Sequence, residues 1–379
     1  MDSGNRPADG KLRSSPHAPR GHWANTLLLL ASITITFAII EFSFRVATGL
    51  PVLRWEEWRQ RHVVVNRLGG HAQVDPVLGW VSKPNFASPG HTSLQHGVRR
   101  NGKETEVRDG HILAVGDSFT EGWEVNDDDS WPAYLERMLR TPVVNAGVGG
   151  YGTDQTILRA EQMLPIVKPH TLIIGILDFD LARTEHTSFH APKPWFSVDN
   201  GVLQQHPPSA SKPPSDEWWR SILLGLRSPL GYSAVADFVL ARLAPGYWHG
   251  TRAYEFARSD HIDGVQVTCL LLERLKPMVA KDNVRTLVFL QYFAPTTLEN
   301  DEPPEDVRTV AACARHQGFE VVDQFASLKA LTRQDPEALR RYYWVNSDAV
   351  FYRHMNGQGN QHAAKLLKKA FADPLMAHE

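Results

Sequence analysis

The amino-acid sequence predicts an α/β fold, in which a parallel sheet of about five strands lies between two layers of helices. Two observations support this prediction. Short apolar runs alternate with amphipathic segments from residue 111 to residue 372, and the runs are continuous, as in strands that are buried on both faces. The composition agrees, because 42% hydrophobic and 22% charged residues in a chain of 379 are typical of a globular protein and exclude wholesale disorder.

The N-terminal part of the chain precedes this alternating pattern. Residues 1–22 are polar and rich in Pro, Gly, Ser and basic residues, which indicates a disordered tail. Residues 23–49 are apolar and long enough to cross about 30 Å of hydrocarbon as a helix. Within them, Glu41 and Arg45 are four residues apart and are expected to pair on one helix face near a membrane surface. Because no A-x-A cleavage site follows, an uncleaved transmembrane signal anchor is favoured over a cleaved signal peptide and over a buried core helix.

Basic residues lie on both sides of this apolar segment, so their count leaves its orientation open. Those before it are Arg6, Lys11, Arg13 and Arg20, and Arg54, Arg59 and Arg61 follow it. We expect the globular part to lie outside the cytoplasm.

The remaining sequence divides into a linker and one domain with an insertion. Residues 50–74 predict a basic, partly helical juxtamembrane linker, and residues 75–375 predict the α/β domain. The domain begins with a turn-rich stretch, up to about residue 110, that predicts short strands beside the main sheet. Residues 181–263 interrupt the rhythm of strands and helices and predict an insertion over the carboxyl-end face of the sheet.

The insertion contains a helix-like stretch, YSAVADFVLARL, and several tryptophans. These tryptophans either form a lid that stacks on sugar rings or pack a small core within the insertion. They are Trp195, Trp218, Trp219 and Trp248.

Each element of the main domain follows from a local pattern. Strands are predicted at the short apolar runs 111–116, 142–147, 170–178, 284–292 and 319–323. Helices are predicted where apolar residues recur at helical spacing, at 130–140, 153–167, 264–281, 305–317 and 358–372. The first of these helices has Ser130 as a possible N-cap and Pro132 in its first turn. Ligands of such sheets bind outside the carboxyl ends of the strands.

Composition also limits the cofactors and partners. The formal net charge of -2 and the pI near 6.8 provide no global basic field, so nucleic acid is not an expected partner. The two cysteines, Cys269 and Cys313, exclude a disulfide-rich scaffold and a four-cysteine zinc site. They could form one bridge, but their spacing is not diagnostic and buried free thiols are favoured. No metal or nucleotide cofactor is expected.

The first of three loops that carry chemistry follows the strand 111–116. In the sequence GDS, Ser118 comes just after the strand and near the start of a helix, where its backbone N–H can point at a developing oxyanion. Asp117 precedes it as a further candidate site residue. Thr120 stands where the G-x-S-x-G elbow of α/β-hydrolases requires its last glycine, so that fold is disfavoured. A serine that only caps a helix is the structural alternative.

The second loop, NAGVGGYGTD, begins at Asn145, another candidate site residue. Gly147, Gly149 and Gly152 match the pattern G-x-G-x-x-G between a strand and a helix, which would suggest a dinucleotide site. The loop follows the second strand rather than the first, and no acidic residue ends the next strand about 20 residues further on, so this interpretation is the weaker one. In the other interpretation, a bare glycine N–H approaches a reacting carbonyl.

The third loop precedes the final helix and contains His354 and Asn356 in the sequence YRHMNGQGN. A histidine in a polar loop at the carboxyl edge of the sheet can act as a general base. The chain has 17 histidines, so chance places one in most loops. His354 becomes a strong candidate for a catalytic base only together with the residues of the other two loops.

Together, these loops resemble the GDSL/SGNH hydrolase superfamily. The resemblance rests on AVGDSFTEGWEVNDDDSWPAYLE, NAGVGGYGTDQ and HMNGQGNQHAA, with DPVLGW and KPN upstream, and it covers roughly residues 75–375. It is nearest to bacterial membrane-anchored members with one N-terminal helix. It implies a flavodoxin-like three-layer sandwich, a single-pass anchor in the bacterial inner membrane and a globular domain in the periplasm.

The resemblance also implies roles for three residues. Ser118 matches the nucleophile, and its N–H would serve the oxyanion hole. Gly150 matches a glycine whose N–H is another oxyanion donor. His354 matches the general base that takes the serine proton and later gives it to the leaving alkoxide.

One departure from the family pattern concerns the oxyanion hole. The third family block ends its strand with Gly-x-Asn-Asp, and the Asn side chain is an oxyanion donor. This chain has Leu177-Asp178-Phe179-Asp180 there. Phe179 cannot donate a hydrogen bond, and loss of one donor typically costs about 10²–10³ in rate. Asp178 or Asp180 could still lie in the cleft, where a carboxylate would repel an oxyanion.

A second departure concerns the acid that orients the histidine. The family has an Asp two or three residues before it, where this chain has Tyr352 and Phe351. Asp348 lies six residues before His354 and could reach it only if the loop curls. A Ser–His dyad is workable but weaker, because the imidazolium lacks its partner.

The sequence therefore predicts a membrane-anchored serine esterase or acyltransferase. Its substrate would be an ester-linked acyl group, acetyl above all, on a carbohydrate or an envelope lipid. The alternative is a catalytically impaired protein of the same fold that binds or assembles glycans. The two departures favour this alternative, whereas the retained Ser118 and His354 oppose it.

Overall fold

The computed structural model of this chain describes most of its residues. They are 21–48, 50, 52–53, 71–107, 111–189, 191–208, 225–226, 229–244, 256–335, 337–345 and 352–372. Several predictions concern residues outside these ranges, namely those for most of the tail and linker and for Trp218, Trp219, Trp248 and Asp348.

A parallel five-stranded sheet forms the centre of the main unit, which confirms the predicted fold class. Its strands are β1 (Ile112–Val115), β2 (Val143–Asn145), β3 (Thr171–Leu177), β4 (Arg285–Gln291) and β5 (Glu320–Asp323). They lie in the order β2-β1-β3-β4-β5, and all neighbouring strands are parallel. Every residue of β1, β2 and β3 is buried, which explains their continuous apolar sequences. The strand order changes direction between β1 and β3, where doubly wound sheets bind ligands.

Helices flank the sheet close to the predicted places. The five predicted helices are Trp131–Leu139, Thr153–Val167, Gly264–Lys281, Glu305–His316 and Gly357–Ala372. Ser130 caps the first of them, because its Oγ accepts a hydrogen bond of 3.4 Å from the N–H of Ala133. A helix that starts near Ser118, as its position after the strand predicts, is present as Ser118–Glu121. The sequence pattern did not indicate the helices Asp180–Thr184, Ala294–Glu299 and Phe325–Gln334, nor the 3₁₀ turns Gln95–Gly97 and Ala338–Arg341.

Cys269 and Cys313 form a disulfide bond, so the expectation of free thiols is wrong. Cys269 lies on the helix Gly264–Lys281 and Cys313 on the helix Glu305–His316, and these two helices pack against each other. The packing brings the two Cα atoms to 5.4 Å, a separation suited to a bridge. The cysteines are 44 positions apart in sequence, so no local spacing could reveal the pair.

Short antiparallel strands surround the main sheet. Before it, Ala72–Asp75 pairs with Gly79–Ser82 and Ala87–Ser88 with His91–Thr92, as the turn-rich sequence predicts. After β3, His186–Phe189 pairs with Ala191–Pro192 and Phe256–Arg258, and Trp195–Asp199 forms a hairpin with Val202–His206. The strand pair Tyr343–Val345 and Tyr352–Met355 precedes the last helix.

Two contacts show how the start of the predicted insertion is held. Trp195 stacks on His206 across its own hairpin, with ring centroids 3.7 Å apart, so this tryptophan packs locally. The buried ammonium of Lys193 forms an ion pair with the buried carboxylate of Asp154 on the helix Thr153–Val167.

The N-terminal helix Gly21–Thr48 belongs to a second compact unit, which comprises the described parts of residues 1–63 and 218–250. Its segment Ala24–Thr48 is long and apolar enough to cross a membrane. Glu41 and Arg45 pair on one face of this helix at 2.7 Å, as their spacing predicts. The helix Ala234–Leu243 of the same unit, within the predicted insertion, packs against the N-terminal helix.

Candidate active site

Ser118 lies at the carboxyl end of β1, on the first turn of the helix Ser118–Glu121. Asp117 caps this helix, because its Oδ1 accepts a hydrogen bond of 2.8 Å from the N–H of Phe119. Position 116 has to be glycine, since a Cβ there would lie 2.1 Å from the Oγ1 of Thr120. The tight turn therefore places Ser118 at the edge of the sheet where ligands of this fold class bind.

His354 meets Ser118 from the strand Tyr352–Met355. Its Nε2 lies 3.0 Å from the Oγ of Ser118, and its ring packs beside that of Phe119 with centroids 5.4 Å apart. The two residues are 236 positions apart in sequence. The structure thus brings together the serine and the histidine that the sequence singled out, at the distance of a nucleophile and its general base.

The acid beside His354 is Glu124, which the sequence analysis missed. Its Oε2 lies 3.2 Å from the Nδ1 of His354, so the Nδ1–H can donate to the carboxylate while Nε2 accepts from the serine hydroxyl. Glu124 also forms an ion pair with Arg353. The expectation of a dyad without an acid is therefore wrong. Asp348, the proposed acid, lies outside the described residues, and Tyr352 occupies the strand beside His354.

Glu124 reaches this position because the chain turns back after the serine helix. The helix ends at Gly122, which has a φ of +82°, and Glu124 itself has a φ of +71°. The indole Nε1 of Trp344 donates a hydrogen bond of 3.2 Å to the backbone oxygen of Glu124 and so helps to hold the turn. The only signal in the sequence is that Glu124 follows Ser118 by six residues, in the same block.

His354 is neutral at neutral pH. Burial lowers its pKa to about 4, and the cations Arg183 and Arg353 act in the same direction, whereas the Asp117 carboxylate raises the pKa. The carboxylate of Glu124, hydrogen-bonded to Nδ1, stabilises the imidazolium once a proton arrives. A neutral imidazole with an acid behind it can accept the proton of Ser118.

Two backbone N–H groups are free to serve an oxyanion. Among the hydrogen bonds of the described residues, none has the N–H of Ser118 or of Gly150 as its donor. Gly150 has a φ of +81°, in the left-handed region that favours glycine. Its loop is fixed beside the serine helix, because the N–H of Gly149 donates to the Oε2 of Glu121 at 2.9 Å.

The other glycines of this loop allow close packing of the chain. A Cβ at Gly147 would lie 2.4 Å from the backbone nitrogen of Glu121, and one at Gly152 would lie 2.9 Å from that of Thr184. Asn145 fixes the start of the loop, because its Oδ1 accepts a hydrogen bond of 3.2 Å from the N–H of Gly147. Close contacts with the backbone thus explain Gly147 and Gly152 without a dinucleotide.

Phe179 lies at the carboxyl end of β3 with 44% of its surface exposed. Its ring is 6.1 Å from that of Phe293, and the guanidinium of Arg183 lies 5.1 Å from its centroid. Asp178, next to it, accepts hydrogen bonds from the N–H of Phe179 at 2.8 Å and of Phe293 at 3.4 Å. Burial raises the pKa of Asp178 to about 6. The side chain at position 179 therefore offers an aromatic surface and no donor.

Arg183 links the segments that follow β1, β2 and β3, and nothing in the sequence pointed to it. Its Nη1 donates to the Oδ2 of Asp117 at 2.8 Å, to the Oδ1 of Asp180 at 2.6 Å and to the backbone oxygen of Tyr151 at 3.2 Å. Burial and the neighbouring Asp117 raise the pKa of Asp180, and Arg183 acts against them. The Oγ of Ser118 lies 3.3 Å from the same Oδ2 of Asp117, so Arg183 fixes the carboxylate next to the nucleophile.

Asn356, a candidate site residue from the sequence, caps a helix. Its Oδ1 accepts hydrogen bonds from the N–H groups of Gln358 at 2.9 Å and Gly359 at 3.1 Å, so it caps the helix Gly357–Ala372. This cap holds the strand that carries His354 at a fixed distance from the last helix.

A sequence profile of the GDSL-like Lipase/Acylhydrolase family matches residues 114–362. The chain belongs to this family. The match includes Ser118, Glu124 and His354, so the hydrogen-bonded site lies within the part that defines this GDSL-type acylhydrolase domain. No curated protein matches the sequence.

Several solved structures are similar to this GDSL-family chain. An alpha/beta hydrolase from the metagenome of Lake Arreo, Spain, is 14% identical with a TM-score of 0.40, and the match covers 70% of this chain and 96% of that one. An acetylxylan esterase from Geobacillus stearothermophilus is 13% identical with a TM-score of 0.38, and the match covers 70% and 96%. A protein from Desulfitobacterium hafniense DCB-2, described as lipolytic and of the G-D-S-L family, is 13% identical with a TM-score of 0.36, and the match covers 69% and 99%.

Proposed function

We propose that this protein is a serine ester hydrolase or acyltransferase that uses Ser118, His354 and Glu124 as a catalytic triad. The observation that supports it is the continuous chain of hydrogen-bond distances, 3.0 Å from Ser118 to His354 and 3.2 Å from His354 to Glu124. A nucleophile, a base and an acid that orients the base are the set that acyl transfer requires.

The proposed reaction proceeds in two halves. Ser118 Oγ attacks the ester carbonyl carbon while its proton passes to Nε2 of His354, and the N–H groups of Ser118 and Gly150 stabilise the oxyanion. The tetrahedral intermediate collapses, the bond to the leaving oxygen breaks, and His354 gives its proton to that alkoxide. A water molecule, or the hydroxyl of an acceptor, then attacks the acyl-enzyme, with His354 again as the base, and restores the free serine.

We propose an acyl ester, acetyl above all, of a carbohydrate or an envelope lipid as the substrate, with no metal or nucleotide cofactor. The helix Gly21–Thr48 serves as a single-pass anchor in the bacterial inner membrane, with the globular domain in the periplasm. The disulfide between Cys269 and Cys313 supports an oxidising compartment.

The contacts of the N-terminal helix support an anchor that is retained. Cleavage after the apolar segment would remove Glu41 and Arg45. Glu41 accepts a hydrogen bond of 2.7 Å from the Oγ of Ser233, and Arg45 donates one of 2.7 Å to the backbone oxygen of Tyr232. A transient signal sequence has no need of a buried polar pair that binds a segment almost 200 residues away.

The second candidate function is a protein of this fold that binds glycans and is impaired in catalysis. The observation that favours it is Phe179 in place of the third oxyanion donor. Labelling with a serine-directed fluorophosphonate separates the two functions. We expect the detergent-solubilised full chain to be labelled, the Ser118→Ala variant to remain unlabelled, and the Glu124→Gln variant to be labelled slowly. A folded wild-type protein that does not react would favour the binding protein.

A further inference from the structure

A cavity of about 380 Å³ lies beside the proposed triad, and four of the ten residues that line it carry an aromatic or imidazole ring. His71, Phe86, His91 and Trp123 line it, and so does Glu124. The centroid of the His71 ring is 4.8 Å from that of Trp123, 5.5 Å from that of His91 and 6.5 Å from that of Phe86. The cavity and the triad therefore share Glu124.

Trp123 connects this cavity to the nucleophile as well. Its backbone N–H donates a hydrogen bond of 2.9 Å to the backbone carbonyl oxygen of Ser118. Its ring lies against the glycine loop, since a Cβ at Gly149 would be 3.5 Å from the Cε3 of Trp123. A group in the cavity would thus lie next to the loop that carries Gly150.

The two histidines give the cavity a neutral polar character. Burial lowers the pKa of His71 and lowers that of His91 to about 4, so each imidazole has one donor and one acceptor at neutral pH. The Nε2 of His91 is buried and has no hydrogen-bond partner among the described residues. It lies 3.7 Å from the Oε1 of Glu121, beyond hydrogen-bond distance.

We propose that this cavity is a subsite for one pyranose ring of an acylated glycan. Trp123 and Phe86 offer apolar faces to the C–H face of the sugar, and the neutral imidazoles of His71 and His91 bind its hydroxyls. The volume lies within the usual range of small-molecule sites, about 300–1,000 Å³. An acyl chain would leave the two imidazoles without partners, which carries a free-energy cost. This proposal rests on the proposed esterase function.

The test compares two substrates in the full chain, an acetylated oligosaccharide and 4-nitrophenyl acetate. Phe86→Ala and His71→Ala should each lower the ratio of kcat/KM for the oligosaccharide to that for the aryl ester by about tenfold, mainly through KM. Trp195→Ala is the control, because this tryptophan stacks on His206 within its own hairpin, and it should leave the ratio unchanged.

The outcomes separate this proposal from the function on which it rests. An unchanged ratio in both Phe86→Ala and His71→Ala would overturn the sugar subsite, whether the two activities stay the same or fall together. A wild-type protein that hydrolyses neither substrate, with the same background as Ser118→Ala, would instead contradict the esterase function.

A second inference comes from the other unit and concerns the helix Ala234–Leu243. Eight of its ten residues are apolar, and its length of about 15 Å is too short to cross a bilayer. Several apolar side chains are exposed, with exposed fractions of 43% for Phe238, 39% for Val239 and 82% for Leu243. Such a surface is unusual on a helix that faces only water.

This helix begins on the buried polar pair of the N-terminal helix. The carboxylate of Glu41 accepts hydrogen bonds from the N–H groups of Ala234 at 2.7 Å and Val235 at 3.2 Å, so it caps the helix. The rings of Phe44 and Phe238 also meet, with centroids 5.2 Å apart. The short helix is therefore held at the level of residues 41–45 of the N-terminal helix.

That level is the end of the hydrocarbon region. A spanning segment needs about 20 residues, so one that begins at Ala24 reaches the far boundary of the hydrocarbon near Glu41 and Arg45. We infer that the helix Ala234–Leu243 lies in the membrane interface, with Leu243 among the lipid chains. Phe238 lies at the boundary with the head groups, since the guanidinium carbon of Arg242 is 3.6 Å from the centroid of its ring. Arg242 donates a hydrogen bond of 3.1 Å to the backbone oxygen of Phe238 at the helix surface, and its long side chain suits the head-group region.

The position of the helix can be measured by fluorescence quenching in vesicles of phosphatidylcholine with brominated acyl chains. A bimane label at Leu243→Cys in the full chain should be quenched about as strongly as one at Leu27→Cys in the N-terminal helix. A label at Val202→Cys, an exposed position in a polar hairpin, should not be quenched. The native cysteines are bonded to each other and do not take up label without a reductant.

This inference rests on the proposed membrane anchor, and the labels distinguish the two. Quenching at Leu27 without quenching at Leu243 would overturn the interfacial helix. A lack of quenching at Leu27 would contradict the anchor itself.

Discussion

Replacing Glu124 by Gln removes one negative charge from the proposed triad and preserves the shape of the side chain. An ion pair at 3.2 Å, the distance from Glu124 to His354, contributes about 5 kcal/mol at an effective dielectric constant of 20. Both side chains are partly exposed, that of His354 at 24% and that of Glu124 at 16%, so water screens about half of that energy. About 2–3 kcal/mol of stabilisation of the imidazolium remains. Glu124→Gln should therefore lower kcat about 30–150-fold.

The pH profile provides a second readout of the same change. His354 must be neutral to accept the serine proton, and burial lowers its pKa to about 4, so kcat/KM should fall as the pH drops towards 4. The Glu124 carboxylate favours the protonated imidazole. Its removal lowers the pKa of His354 further and should shift the acidic limb of the profile to lower pH.

The assay is steady-state hydrolysis of 4-nitrophenyl acetate between pH 4 and pH 8, with the melting temperature recorded for each variant. Glu320→Gln is the matched control, because the Glu320 side chain is 16% exposed, like that of Glu124, and pairs with Arg285. It should leave kcat unchanged. If Glu124→Gln retained kcat within twofold and the acidic limb did not move, Glu124 would not be the acid of the triad.

Three further substitutions test other parts of the argument. Arg353→Gln should free the Glu124 carboxylate for His354, raise kcat severalfold and shift the acidic limb to higher pH, and a loss of activity in the same assay would contradict this. Phe179→Asn should raise kcat/KM on 4-nitrophenyl acetate severalfold by restoring a donor, because a side chain that is 44% exposed can be replaced without burying an unpaired amide. A fall in kcat/KM at an unchanged melting temperature would mean that the oxyanion hole uses other groups. Gly116→Ala should lower the free energy of unfolding by about 1–3 kcal/mol, because the new Cβ meets Thr120, and a melting temperature equal to that of wild type would refute the tight turn.

Local patterns in the sequence determined most of the main domain. Continuous apolar runs predicted the strands of the sheet, because strand positions that are buried on both faces do not carry charges. The charged residues of β4 and β5 lie at the ends of these strands. The helix Thr153–Val167 was predicted from its helical spacing at the same residues. Ser118 and His354 were found because each lies in a short motif with a recognisable local form.

The acid of the triad depended on the tertiary structure. Glu124 comes six residues after the serine, but it acts on a histidine 230 residues away, and only the turn after Gly122 makes them neighbours. The family motif predicts the acid among the residues just before His354, although the chemistry requires only that some carboxylate reach the Nδ1 of His354. Arg183 is a similar case, since an arginine gains its role from the carboxylates that the fold places around it.

The same limit applies to the disulfide and to the N-terminal helix. The sequence determined that Glu41 and Arg45 share one helix face, because helical spacing is local. That Glu41 caps the helix Ala234–Leu243, and that Cys269 faces Cys313, follows from the packing of elements far apart in the chain. Residue spacing determines which side chains share a face of one helix or strand. Contacts between elements depend on how the surfaces of those elements fit together, and a single sequence does not show the distance between residues on different elements.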